Sequence, residues 1–333
     1  MTIKLLVIFA LIKLIYFVDF LGSIPDRLVK NSFRLALYTV IVVAAFSGVL
    51  ISSSAREFNI AGIFGSFLNA SEVLGASAKQ RGIPRLTKEL TAPKITALSV
   101  YAYDITNDKI LFEVDEHAPL PPASVTKLMT ALISLDVYGL EDLIAVPEIC
   151  TNTHSQEAGL NIGEMIRVRD LVYAMLVGSA GDAACTLSIG KVSYEDFVSR
   201  MNSKAKELGM KDTKLTNPVG LDGKNGDHVS TAYDLFLLSR AAISNAFIKE
   251  IVKTKEFSTP SGAHVLKNTN DLLWNLSGTV GIKTGRTYAA GEVLSYAYAD
   301  DVKEIVIVVM GSNDRFTDSK LILDWILKSY SWM

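Results

Sequence analysis

Apolar positions crowd the first 55 residues of the chain and thereafter recur with the spacings of strands and helices. Leu35 to Ala55 carries no charge and is bounded by Arg34 and Arg56. About 20 such residues suffice to cross a bilayer, so this run predicts a transmembrane helix. The earlier run, Leu5 to Leu21, contains Lys13 and Asp19 and either spans or lies on the surface. Arg27, Lys30 and Arg34 stand between the two runs, and basic flanks tend to stay cytoplasmic, which puts everything after Arg56 outside. The rival reading is a signal peptide cut near Ser53-Ser54-Ala55; the long extension before the apolar run argues against it. Both readings export the bulk of the chain.

Residues 56–92 are rich in Gly, Ala and Ser, with Pro84 near the end and Pro93 just beyond, and read as a linker or lead-in to one domain spanning 93–333. Ala97–Tyr103 and Lys109–Val114 are β-rich and flank the polar cluster Asp104–Asp108, which predicts a hairpin. From Ser124 to Tyr138, Val125, Leu128, Met129, Leu132 and Leu135 recur at helical spacing, with Gly139 as the expected terminator. Further helices are predicted over Val168–Val177, Asp182–Ile189, Tyr194–Leu208 and Thr231–Ile243, the last capped by Ser230 or Thr231. Gly278–Lys283, Gly291–Tyr298 and Val302–Met310 read as strands, and Asp318–Lys328 as a closing helix. Strands at both chain ends with helices between predict an α/β (α+β) fold: one mainly antiparallel sheet, flanked by helices in two or three layers.

Composition narrows the chemistry. Lysine plus arginine number 33 against 35 acidic residues, so the net charge of -2 offers no electrostatic footprint for nucleic acid. His117, His154, His228 and His264 show no metal-ligand spacing, and no metal or cofactor is expected. Cys150 and Cys185 could pair in an oxidising compartment, but the Ala-rich helical setting of Cys185 favours two separate buried thiols.

Three constellations carry candidate chemistry. Ser124 and Lys127 stand at i and i+3, on one face of a helical turn. Ser124 alone would read as a helix cap, but a capping box wants Glu or Gln at the third position, and a cation in the first turn opposes the helix dipole. A lysine buried there loses basicity and becomes a usable general base for the serine. Lys283-Thr284-Gly285, with Arg286 and Thr287 behind, closes a β run. It offers donors for an anionic substrate, a strand edge where the absent Cβ of Gly285 lets a peptide lie close, and a second cation to depress Lys127 further. Ser179-Ala-Gly-Asp182 joins two helices and equally fits a helix start.

With these residues in place, the chain from about Ile95 to Trp332 resembles the serine D-alanyl-D-alanine carboxypeptidases, the low-molecular-mass penicillin-binding proteins. Their ordered motifs, Ser-x-x-Lys, Ser-x-Asn and Lys-Thr-Gly, are matched by PPASVTKLMTA at 121–131, VGSAGDAA at 177–184 and GIKTGRTYAAG at 281–291. KELGMKDTKLTNPVGLDG at 206–223, HVSTAYDL at 228–235 and NTNDLLW at 268–274 look like the family's linking segments. The resemblance implies a β-lactamase/D,D-peptidase-like fold, a bacterial cell-membrane location with the catalytic domain extracytoplasmic, and hydrolysis of the terminal D-Ala of a peptidoglycan stem peptide. It implies Ser124 as nucleophile, Lys127 as its base, Ser179 as proton relay, Lys283 and Thr284 as the carboxylate-holding pair, and the N–H groups of Ser124 and Arg286 as oxyanion hole. β-Lactams are the implied inhibitors. The sequence departs from the pattern at Gly181, where the family carries Asn, which puts substrate grip in question. Two other readings are a low-turnover binder of stem peptides or penicillin, and a β-lactamase, whose Glu-x-x-Leu-Asn segment is absent between Ser179 and Lys283.

Overall fold

The computed structural model describes residues 82–333, so both apolar N-terminal runs and most of the lead-in lie outside the described residues. Among the described residues no helix is long and apolar enough to cross a membrane.

Five strands form the central sheet: β2 (Ser99–Asp104), β3 (Lys109–Val114), β8 (Thr279–Thr287), β9 (Gly291–Ala299) and β10 (Glu304–Ser312). Their order is β3-β2-β10-β9-β8, every pairing antiparallel. The hairpin and the three late strands thus meet as predicted, with β10 in the middle. That strand is apolar on both faces because side chains alternate across a sheet. Ile305, Ile307 and Val309 pack with Ile322, Leu323 and Ile326 of the last helix, α8 (Arg315–Ser329). Val306, Val308 and Met310 face the larger helical cluster instead. The result is three layers, α8 on one side and the other main helices on the opposite side.

The helical layer contains α1 (Lys127–Val137), α2 (Val168–Val177), α3 (Gly181–Ile189), α4 (Tyr194–Glu207), α5 (Ala232–Ser244) and the short α6 (Ala246–Val252). Thr231 caps α5 by accepting from Asp234 N, and Ser193 caps α4 by accepting from Asp196 N. α1 does not end on a left-handed glycine; Tyr138 leaves it in extended conformation while its N–H still reaches Ser134 O. A 3-10 turn, Ala123–Thr126, precedes α1.

Several short elements escaped the sequence pattern. β4 (Leu143–Ala145) pairs with β5 (Met165–Arg167), and β6 (Glu256–Ser258) with β7 (Val265–Lys267). Three residues are too few for an alternation to register. The one-turn helix α7 (Leu272–Asn275) lies just before β8. β1 (Pro84–Leu86), placed by its composition in the lead-in, pairs with β11 (Tyr330–Trp332), and Trp332 Nε1 donates to Asp104 Oδ2 at 2.7 Å. The packed body therefore includes residues that precede Pro93.

The cysteines correct a second expectation. Cys150 and Cys185 form a disulfide across 35 positions, tying the 3-10 turn Glu148–Cys150 to α3. The helical context of Cys185 was read correctly, but local context says nothing about which distant segment packs beside it.

Candidate active site

The nucleophile candidate sits where three segments converge. Neither the 3-10 turn nor α1 uses Ser124 as a side-chain cap, the cap positions being Pro122 and Thr126. Its hydroxyl instead stands 2.9 Å from Lys127 Nζ. Lys127 is the first residue of α1 and fully buried, and Nζ also donates to Val219 O at 2.6 Å. Burial lowers its pKa to about 7, against a weaker opposite pull from Asp182.

The loop that supplies Val219 O is organised around Asn217. Asn217 Oδ1 accepts from the N–H groups of Val219, Gly220 and Leu221, and Asn217 Nδ2 donates to Leu221 O. Gly220 has φ +85°, and a β-carbon there would stand 2.6 Å from the carbonyl carbon of Ala123 and 3.0 Å from Ser124 Cα. Only glycine lets this loop lie on the nucleophile turn. Below it, Thr130 Oγ1 donates to Pro218 O at 2.6 Å. His228 accepts from Thr216 N at Nδ1, so Nε2 carries the proton facing Thr126 Oγ1 at 3.0 Å.

β8 forms the other wall. The absent Cβ of Gly285 serves a different contact from the one expected: built there, it would stand 2.8 Å from both Ser124 N and Ala123 Cβ. The gap admits the nucleophile's own backbone rather than a substrate. Thr284 Oγ1 shares a very short hydrogen bond with Thr269 Oγ1. Lys283 is 1% exposed, and its Nζ donates to Thr284 O at 3.1 Å. Its pKa falls well below the usual lysine value, first through burial, then through repulsion from Lys127 and Arg315. Burial is the first cause of the fall at both lysines.

Ser179 holds a left-handed backbone, φ 58°, between α2 and α3. A non-glycine residue there costs on the order of 1 kcal/mol, a strain typical of functional positions. The capping reading fails, because Ala180 is the N-cap of α3 and makes no side-chain cap bond. The Asp182 carboxylate turns instead to the N–H groups of Ala158, Gly159 and Leu160.

Ser124, Ser179, Thr284, Gly285, Arg286 and Thr287 all line one cleft of about 450 Å³, with Lys127 and Lys283 buried below its surface. Thr287 Oγ1 donates to Asp222 Oδ1, closing one end. Thr269 and Arg315 also line the cleft and were not singled out in the sequence. Arg315 Nη1 donates to Gly285 O at 2.8 Å, and Arg315 Nε is buried without a partner. Like Lys127, Arg315 is a cation at the first position of a helix, against the dipole, but the apolar pattern starts that helix only at Asp318 and so hides the signal. Among the described residues no cluster of metal-ligating side chains occurs.

The model of the D-alanyl-D-alanine carboxypeptidase family matches residues 86–314. The chain belongs to that family. It is 31% identical over 230 residues to the D-alanyl-D-alanine carboxypeptidase DacB2 of Mycobacterium tuberculosis, covering 67% of this chain and 79% of the relative. It is 32% identical over 252 residues to the D-alanyl-D-alanine endopeptidase of Escherichia coli, covering 70% and 78%. The crystal structure of penicillin-binding protein D2 from Listeria monocytogenes in its cefotaxime-bound form superimposes with a TM-score of 0.64 and 29% identity, over 72% of this chain and all of that one. The peptidase is therefore a serine D-alanyl-D-alanine carboxypeptidase of the penicillin-binding type.

Proposed function

We propose that Ser124 Oγ attacks the carbonyl carbon of the penultimate residue in a stem peptide ending in D-Ala-D-Ala, and that water then opens the resulting ester. The observation that carries this is the buried Lys127 amine, its pKa lowered to about 7, at 2.9 Å from Ser124 Oγ. With its proton gone, Lys127 Nζ still donates to Val219 O, and its lone pair can take the serine proton as the Oγ–C bond forms. Collapse of the tetrahedral intermediate breaks the C–N bond, and the leaving amine takes a proton through the Ser179 hydroxyl. The N–H groups of Ser124 and Arg286 would hold the oxyanion, each worth about 3 kcal/mol in sites of this kind.

The terminal carboxylate would be met by Thr284 and the unpartnered Nε of Arg315, with Lys283 beneath them. An anion there also compensates the mutual repulsion of Lys283, Lys127 and Arg315. A β-lactam would acylate the same Ser124 oxygen, its leaving group remaining attached. Residues 35–55 would tether the domain to the bacterial membrane with the catalytic body outside, and the Cys150–Cys185 disulfide supports an oxidising compartment.

The test is release of free D-alanine from a peptide ending in D-Ala-D-Ala by the full chain, with and without Ser124→Ala. Release that vanishes with the substitution upholds the reading. A folded wild type that binds penicillin covalently but releases no D-alanine would replace it with a low-turnover binder.

A further inference from the structure

The second motif lacks its amide side chain at Gly181, and the space so opened is filled. A β-carbon built at Gly181 would fall inside the contact radius of Ser155 Oγ and 2.6 Å from Thr153 Oγ1. Those two hydroxyl oxygens lie 3.1 Å apart. They reach this place because the segment bearing them is pinned at three points. Cys150, just upstream, is bonded to Cys185 of α3. Gly181 N donates to Gln156 O at 2.6 Å. Just downstream, the Asp182 carboxylate takes the N–H groups of Ala158, Gly159 and Leu160. Inside the segment, Glu157 Oε1 accepts from Thr153 N at 2.6 Å and from Thr153 Oγ1 at 3.1 Å, and His154 turns the chain with φ 54°.

We propose that Ser155 is a substrate-positioning residue of this chain, hydrogen-bonding the peptide amide on the acyl side of the scissile bond in place of the missing side chain at 181. The inference rests on the acyl-enzyme reading given above. Ser155 lines the same cleft as Ser124 and Ser179, and α3, whose first residue is Gly181, carries the disulfide that anchors its loop. Thr153 spends its proton on Glu157 and Ser155 Oγ donates to Gln156 O at 3.2 Å, which leaves the Ser155 oxygen a lone pair with which to accept from a peptide N–H. A hydroxyl oxygen, like an amide oxygen, accepts from a peptide N–H, so the exchange keeps that acceptor while moving its source from one segment to another. The disulfide and the Asp182 bonds then have a purpose beyond stability, since a positioning group must itself be held still.

The experiment compares wild type, Ser155→Ala, Gly181→Asn and the double variant Ser155→Gly/Gly181→Asn. The readouts are D-alanine release, the rate of covalent labelling by penicillin, and the unfolding midpoint. Ser155→Ala should lower kcat/KM about tenfold, mostly through KM, the loss expected of one hydrogen bond. Its unfolding midpoint should fall only slightly, because the bond lost to Gln156 O is long, 3.2 Å, and that carbonyl keeps its 2.6 Å bond from Gly181 N. Gly181→Asn alone should lose more, since two side chains then compete for one space. The double variant should recover to within about threefold of wild type, the amide entering the space that Ser155 leaves. An unchanged kcat/KM for Ser155→Ala, or a double variant no better than Gly181→Asn alone, overturns the proposal. Should Gly181→Asn fail to fold, Ser155→Ala still decides. If wild type labels with penicillin but releases no D-alanine, the hydrolytic reading fails by itself. The labelling rates of the same variants then judge Ser155, slower labelling of Ser155→Ala upholding it and equal labelling refuting it.

Discussion

Val219 O accepts a 2.6 Å hydrogen bond from Lys127 Nζ, the same atom that stands 2.9 Å from Ser124 Oγ. The carbonyl comes from a loop 92 positions away and fixes one of the amine's three hydrogen-bonding directions while another meets the serine. Burial sets the amine's basicity, and the carbonyl sets its aim. A lysine free to rotate at the same pKa would be a poor base.

The first consequence is a pH dependence. Below about 7 Lys127 is an ammonium and cannot take the Ser124 proton, so acylation should fall about tenfold per pH unit there. Above about 7 it should level off. The rate of penicillin labelling measured from pH 5 to 9 checks this, and a flat profile would remove Lys127 from the role of base.

Gly285→Ala should slow acylation by about 100-fold while leaving the protein folded. The added methyl meets Ser124 N and Ala123 Cβ at 2.8 Å, so β8 must retreat from the nucleophile turn. A displacement near 1 Å at reacting atoms has a cost of that order. Labelling kinetics and the unfolding midpoint, read together, separate misalignment from collapse.

Asn217→Ala should cost about 2–3 kcal/mol of stability and lower kcat together with it. Three loop N–H groups lose their acceptor, and the Val219 carbonyl loses its fixed position over Lys127. Asn217→Asp keeps the acceptor and should retain more activity than the alanine variant. Urea unfolding with D-alanine release gives both numbers.

Reduction of Cys150–Cys185 should destabilise the domain by about 3–4 kcal/mol, the chain-entropy value for a loop of 35 residues. It should also raise KM, because loss of the tether frees the segment that carries Ser155. Unfolding and steady-state kinetics with and without a reductant measure the two effects.

Acid should weaken the fold through His228. Burial lowers its pKa to about 4 from an unfolded value near 6.5, so the neutral ring is favoured in the folded state. Its contribution is fully present above about 6.5 and is lost as pH falls towards 4, up to about 3 kcal/mol. His228→Gln should flatten this part of the stability profile, measured by urea unfolding between pH 4 and 8.

Much of this was legible in one dimension. Helices α2, α4 and α5 and strands β3, β9 and β10 follow from runs long enough for a period of 3.6 or 2 to register, and they lie within a residue or two of their expected bounds. The pair Ser124 and Lys127 was legible for the same reason, since helical spacing alone brings i and i+3 together. The cation at the wrong end of a helix marked Lys127; Arg315 shares that position but lies three residues before the expected start of its helix.

What lay hidden depends on chain segments far apart in sequence. No local pattern states that Val219 O aims Lys127, that Gly285 makes room for Ser124 rather than for a peptide, or that Cys150 reaches Cys185. Gly181 read as a deficit in the sequence because the segment that fills its space begins some 25 positions earlier. Periodicity and motif order are properties of neighbouring residues, which is why the elements, the family, the reacting pair and the weakened basicity of Lys127 could be read along the chain. The aim of that amine and the occupant of the vacant position arise from contacts between distant segments, which no local stretch contains.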